Sequence, residues 1–192
     1  MIFEKIEVKY YNQGLELAKS ASLTKAVEVL EKAVNFNPFF VEAWNVLGLC
    51  FYQLGEFSFA KSVWQKSAEI LKAEENIAIF YLEELKEKEF CEFCTQYNKA
   101  LFLAQKGEFK EAATILSSFN MNFSQTIASK NALALCKFGE NKKVEALQIW
   151  KSVLKMDREN PKVLLYLKED WGNIVEEKTL FQRIKDWFVK GE

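Results

Sequence analysis

One pattern of alternating large and small apolar residues recurs along this chain and constrains its fold more than any other feature. In its clearest copy it reads Trp44-x-x-Leu47-Gly48-x-x-Phe51, then Gly55-x-Phe57-x-x-Ala60-x-x-x-Trp64. These positions are three or four residues apart, the spacing of one helix face, and Gly55 separates the two stretches. The pattern predicts a hairpin of two helices that cannot bury its own apolar face and must stack on further copies.

Within each half of the chain the same positions return after 34 residues and resemble the tetratricopeptide repeat (TPR), whose period this is. Four repeats are expected, at 7–40, 41–74, about 93–126 and 127–160. In the fourth, the turn Gly139–Lys143 is displaced relative to Gly55. The resemblance implies an all-α fold, a right-handed α-α superhelix (solenoid) of helical hairpins.

A longer period of 86 residues lies over the short one. Adding 86 maps one set of residues onto identical ones: Tyr11, Leu15, Asn45, Leu49, Cys50 and Trp64 onto Tyr97, Leu101, Asn131, Leu135, Cys136 and Trp150. We interpret the chain as a tandem duplication of a module with two repeats and one following helix. The modules are expected at 1–90 and 91–192, with one continuous solenoid as the alternative.

Helices outside the repeats are predicted in two places. After the second repeat, an apolar stripe at helical spacing either stops near Lys88 or runs on into the third repeat as one rod. At the C-terminus, one or two helices would cap the stack, with the apolar residues Tyr166, Leu167, Trp171, Ile174, Leu180, Phe181, Ile184, Trp187 and Phe188.

Composition excludes several classes of function. The 26 basic and 27 acidic residues leave a net charge of −1, and only Arg158 and Arg183 are arginines, so nucleic acid is disfavoured as a partner. The chain contains no His, which removes Ser-His-Asp and Cys-His nucleophile activation and imidazole ligation of metals. We therefore expect a protein that is not an enzyme and has neither cofactor nor metal.

The family resemblance also implies a binding site. In TPR proteins the first helices of successive repeats line a concave groove that holds a peptide or a partner helix. Carried over to this sequence, the groove residues are Tyr11, Leu15, Asn45, Leu49, Tyr52, Tyr97, Leu101, Asn131 and Leu135.

Asn45 and Asn131 are the most suggestive of these, because a carboxamide can pair with a peptide backbone of any sequence. The alternative is that each asparagine bonds a neighbouring helix or water. The best-known TPR proteins hold an acidic C-terminus with a Lys, Asn and Arg clamp, but the corresponding positions here carry Tyr11, Leu15, Val46 and Cys94. An apolar extended segment or an amphipathic helix suits this groove better.

Two further functions are alternatives to a protein-binding scaffold. The chain could associate with itself as a structural homodimer, or use Cys91 and Cys94, a Cys-x-x-Cys pair, in thiol redox or metal chemistry. The second is disfavoured, because zinc would need two more ligands from His or Cys.

No run of about 20 apolar residues is present and the N-terminus carries charge, so neither a membrane span nor export is expected. We expect the four Cys residues to be buried free thiols, the state typical of the reducing cytoplasm, and therefore expect a cytoplasmic protein.

Overall fold

The computed structural model describes residues 5–119, 123 and 125–168, and every regular element within them is a helix. This confirms the all-α prediction. The described residues form two compact units, one with the residues up to Cys91 together with Lys155–Asn160, the other with Glu92–Leu154 and the chain from Pro161 onward. Within the described ranges, no helix is both long and apolar enough to cross a membrane.

The first unit contains five helices, each packed on the next: α1 (Ile6–Lys19), α2 (Leu23–Phe36), α3 (Val41–Leu54), α4 (Phe57–Ile70) and α5 (Ile77–Glu84). The connections are two to six residues long, which makes neighbouring helices antiparallel. Thus α1 with α2 and α3 with α4 are the two hairpins that the 34-residue repeat predicts. Gly55 ends α3 at a φ of 85°, a left-handed conformation that favours glycine.

Small residues allow the close approach of these helices. A Cβ atom on Gly48 would overlap the indole of Trp64, which is fully buried, and one on Gly14 would overlap the side chain of Leu30. The alternation of small and large residues in the sequence is therefore a packing requirement. The expectation that Trp64 belongs to the core is confirmed, and Trp150 is likewise fully buried in the second unit.

The second unit has five described helices: α6 (Lys88–Lys106), α7 (Phe109–Ser117), α8 (Ile127–Gly139), α9 (Lys143–Leu154) and α10 (Pro161–Lys168). Their starts repeat the 86-residue offset, since α3 and α8 begin at 41 and 127, and α4 and α9 at 57 and 143. Both units thus have the same order of helices, which is consistent with a duplication.

The structure decides two points about the junctions between helices. The sequence left the first open and predicted the second wrongly. The helix after the second repeat ends at Glu84 and α6 begins at Lys88, so the two are not one rod. The turn of the fourth repeat is not displaced: Asn141, 86 residues after Gly55, takes the left-handed conformation with a φ of 62°. Asparagine tolerates this conformation better than most residues. Gly139 is not part of the turn but lies in α8, where a Cβ atom would overlap the ring of Phe109.

The segment Lys155–Asn160 lies far along the chain yet belongs to the first unit. Its Asp157 is fully buried and accepts hydrogen bonds from the backbone N–H of Thr24 at 3.3 Å and from the Thr24 hydroxyl at 2.5 Å. The backbone N–H of Arg158 donates to the carbonyl of Ala21. Because Ser22 provides no side-chain cap, Asp157 satisfies the N-terminus of α2 from 133 residues away.

The predicted C-terminal cap is described only at its start. Tyr166 and Leu167 lie in α10, and Tyr166 is buried. The remaining expected cap residues, Trp171, Ile174, Leu180, Phe181, Ile184, Trp187 and Phe188, lie outside the described residues.

Candidate functional site

The first unit carries five of the predicted groove residues on two helices that contact each other. Tyr11 and Leu15 lie one turn apart on α1, and Asn45, Leu49 and Tyr52 follow at helical spacing on α3. All five are half-buried, so each presents part of its surface to solvent. The ring of Tyr11 packs on Phe40 with a centroid distance of 5.0 Å. Together the five side chains form a row on α1 and α3, and the exposed parts of this row are mostly apolar and aromatic.

The carboxamide of Asn45 is occupied within the unit. Its Nδ2 donates to Oδ1 of Asn76 at 3.0 Å, and its Oδ1 accepts from the hydroxyl of Ser67 at 2.6 Å. Asn76 is itself buried, donates to the carbonyls of Ser67 and Leu71, and caps α5 by accepting from the N–H of Ala78. Asn45 therefore bonds neighbouring elements, the alternative that the sequence left open.

Tyr52 belongs to an aromatic cluster that joins α3, α4 and α5. Its ring lies 5.2 Å from Phe57, 5.9 Å from Trp64 and 6.0 Å from Tyr81, centroid to centroid. Burial, with a smaller contribution from the charges of Glu84 and Tyr81, raises the pKa of Tyr52 to about 12. The phenol thus stays neutral at physiological pH. Leu49 packs against the same cluster, so these two side chains combine a packing role with their exposed surface.

The predicted residues of the second unit are placed differently. On α6, Tyr97 and Leu101 are half-buried, and the Tyr97 ring stacks on Phe93 at 5.6 Å. On α8, Asn131 and Leu135 are only 2% and 1% exposed. Both are core residues in this structure, and a ligand could not reach them, so we leave them out of the binding face.

The polar network of the first unit has no counterpart around Asn131. The position 86 residues after Ser67 is Val153, a fully buried apolar residue, so the hydroxyl that Asn45 uses is missing. Among the described residues, Oδ1 of Asn131 has no hydrogen-bond partner, and neither has the indole N–H of Trp150. The two asparagines therefore share a position in the repeat and differ in environment.

Two residues that organise this site were missed by the sequence analysis. Ser67 and Asn76 lie outside the groove positions of the repeat, and only the placement of Asn76 just before the apolar run of α5 marks it as a helix cap. The Cys-x-x-Cys pair lies on α6, where Cys91 is exposed and Cys94 half-buried. The described residues contain no group of three His, Cys, Asp or Glu side chains able to hold a metal ion.

Comparisons with known proteins agree with the repeat. The family described as tetratricopeptide repeat matches residues 10–40. The uncharacterised protein MJ0572 of Methanocaldococcus jannaschii is 30% identical over 63 residues, which cover 33% of this chain and 73% of that protein.

Solved structures of TPR proteins match as well. The crystal structure of the P58(IPK) TPR domain matches with a TM-score of 0.52 at 18% identity, over 95% of this chain and 55% of that one, so this chain spans about half the length of that structure. YrrB, a TPR protein with an unusual peptide-binding site, matches with a TM-score of 0.38 at 14% identity, over 83% of this chain and 90% of that one. The repeat at residues 10–40 and the fold of this chain are those of the tetratricopeptide repeat superfamily.

Proposed function

We propose that this protein is a cytoplasmic, non-enzymatic scaffold that binds an apolar or amphipathic segment of another protein along α1 and α3 of its first unit. The observation that carries the proposal is the row of half-buried apolar and aromatic side chains, Tyr11, Leu15, Leu49 and Tyr52, on two helices in contact. A row of this kind offers apolar area at spaced anchor points, as an amphipathic helix or an extended segment requires.

The chemistry of the row favours an uncharged ligand face. The positions at which related clamps carry cations hold Tyr11 and Leu15 here, so a free carboxylate would find no bidentate partner. Asn45 contributes indirectly, because its bonds to Ser67 and Asn76 tie α3 to the end of α4 and the start of α5. A fixed arrangement of these helices lowers the cost of ordering the site on binding. In the second unit, we propose Tyr97 and Leu101 as the corresponding residues of such a face.

The test is selection from a displayed library of random peptides, with the immobilised full chain as bait. Wild type should enrich peptides with apolar residues at spacings of three and four, or of two, without a preference for an acidic C-terminus. Leu15→Glu should bind the enriched peptides at least tenfold more weakly, because a charge replaces an apolar contact.

Leu147→Glu is the matched control, since Leu147 is exposed on α9 outside this row. It should bind the enriched peptides as wild type does. If no peptide is enriched, or if folded Leu15→Glu binds the same peptides equally well, the proposed site is wrong.

A further inference from the structure

The side of α8 that corresponds to the binding row of the first unit is covered. Its residues Asn131, Leu135 and Phe138 are four and three residues apart, which places them on one side of the helix, and they are 2%, 1% and 4% exposed. Their equivalents 86 positions earlier, on α3, are all half-buried. We call the three residues of α8 the covered row.

The helices packed on α8 do not explain this difference. α8 packs on α7 and α9, as α3 packs on α2 and α4, and the helices follow in the same order in both units. Around α3 this arrangement leaves the row half-open. All residues of α8 are described and none of them is exposed, whereas α3 exposes Glu42 and Gln53. A further piece of chain must therefore lie over the covered row.

The second unit contains one long piece of chain that is able to do so. The unit comprises Glu92–Leu154 and the chain from Pro161 to Glu192, of which 120–122, 124 and 169–192 lie outside the described residues. The first two pieces precede the start of α8 and are too short to cover a row of about 10 Å, the length of seven helical steps. Residues 169–192, which we call the C-terminal segment, follow α10 directly.

The sequence of the C-terminal segment predicts a helix with one apolar side. Apolar residues recur there at spacings of three and four, and polar residues occupy the opposite side. The apolar side consists of Leu180, Phe181, Ile184, Trp187 and Phe188, and the polar side includes Thr179, Gln182 and Asp186. From residue 180 to 188 a helix is about 12 Å long, which matches the covered row.

The topology leads the C-terminal segment to this row. Short connections make α9 antiparallel to both α8 and α10, so α8 and α10 run in the same direction. The end of α10 therefore lies at the same end of the unit as Phe138. Gly172 and Asn173 predict a turn shortly after α10. A chain that reverses there runs back from Phe138 towards Asn131.

We propose that the C-terminal segment binds in the groove of the second unit as an amphipathic helix, with Leu180, Ile184 and Trp187 against the covered row. The segment is a built-in ligand that closes this groove to other proteins. A cap at the end of the stack, the arrangement expected from the repeat, would leave the covered row open. The inference concerns α8 and not α1 and α3, so it does not depend on the binding site proposed for the first unit.

The first experiment is methyl nuclear Overhauser spectroscopy of the full chain. The methyl protons of Leu135 should give cross-peaks with those of Leu180 or Ile184. Sedimentation equilibrium should give the 22.3 kDa of one chain, which assigns the contact to a single molecule.

Three results of this experiment would overturn the proposal. In the first, the Leu135 methyl groups give cross-peaks only with helices α6 to α10. In the second, they give cross-peaks with the first unit in place of the C-terminal segment. In the third, the chain is a dimer and the cross-peaks join two differently labelled chains, which would assign the groove to a second copy.

A pair of matched variants tests whether the segment closes the groove. Leu180→Asp with Ile184→Asp places two charges on the apolar side, where burial would be costly. A soluble gadolinium chelate should then relax the Leu135 methyl protons several-fold faster than in wild type. Thr179→Asp with Gln182→Asp adds the same charges on the opposite side and should leave this relaxation unchanged.

The methyl groups of Leu49 are the internal reference, because they belong to the first unit and should relax equally in all the variants. Circular dichroism checks the fold, and if the Asp variant misfolds, Leu180→Ser with Ile184→Ser replaces it. A folded variant in which Leu135 stays as protected as in wild type would show that another part of the chain covers the row.

Discussion

Trp64 and Tyr81 stack with their ring centroids 4.6 Å apart and their planes within 8° of parallel. The pair joins α4 to α5, the short helix that follows the two repeats of the first unit. In the second unit Trp150 and Tyr166 join α9 to α10 in the same manner, at 5.1 Å and 31°. Each unit thus binds its additional helix to its second repeat through a buried tryptophan and a tyrosine, which closes an apolar face that a further repeat would otherwise cover.

The two equivalent asparagines should differ in their contribution to stability. Asn45→Ala removes one hydrogen bond from the buried Ser67 and one from the buried Asn76, and should lower the free energy of unfolding by about 1–3 kcal/mol. Asn131→Ala removes a buried oxygen that makes no hydrogen bond within the described residues, so its cost should be smaller. Urea unfolding of the two variants and wild type measures the difference. Equal losses would contradict the assigned network.

Gly48→Ala should destabilise the first unit, because the added methyl group overlaps the indole of a fully buried Trp64. Overpacking of this kind costs about 1–3 kcal/mol. Gln53→Ala, at an exposed position of the same helix, is the control for helix propensity. In Gly48→Ala with Trp64→Phe, the combined loss should be smaller than the sum of the single losses, since the smaller ring removes the overlap. Additive losses would show that the two residues do not meet.

Asp157→Ala should lower the free energy of unfolding by about 1–3 kcal/mol. It removes the cap of α2, because the backbone N–H and the hydroxyl of Thr24 lose the carboxylate that accepts their hydrogen bonds. Asp157→Asn keeps one acceptor oxygen and should cost less. The comparison by urea unfolding separates the hydrogen bonds from the volume of the side chain. An alanine variant as stable as wild type would refute the role of Asp157 as a cap.

The four cysteines should fall into two classes of reactivity. Burial raises the pKa of Cys50 and of Cys136 from 9.0 to about 12, so both thiols stay protonated and covered at mildly alkaline pH. Cys91 is exposed and Cys94 half-buried. Iodoacetamide at pH 9, followed by mass spectrometry, should modify Cys91 and Cys94 first, and the buried pair only when the protein unfolds in urea. Modification of Cys50 at the rate of Cys91 in the native state would contradict the packing.

The sequence was sufficient for the parts of the fold that rest on periodic contacts. Hairpins, the buried Trp64 and Trp150 and the equal helix order of the two units follow from spacings of 34 and 86 residues, because each repeat packs mainly on its neighbours. The contact of Asp157 with Thr24 could not be predicted, since it joins residues 133 apart and occurs once. No periodicity marks such a contact.

The candidate site was predicted by position and not by environment. Asn45 and Asn131 occupy the same place in the repeat, yet Asn45 accepts a hydrogen bond from the hydroxyl of Ser67, and the residue at the equivalent of position 67 in the second unit is the apolar Val153. The difference comes from a single residue on the neighbouring helix. A repeat pattern compares equivalent positions one at a time and gives no information on such a neighbour. For the same reason the sequence could not show that Leu135 is buried while Leu49 keeps an exposed part.

The most direct test of the proposed scaffold is methyl nuclear magnetic resonance of the full chain, titrated with a peptide enriched in the library selection. We predict that the methyl signals of Leu15 and Leu49 shift together and saturably. Those of Leu135 and Leu147 should stay in place, since the first is buried and the second lies outside the row. Saturable shifts confined to residues other than those of α1 and α3 would contradict the account.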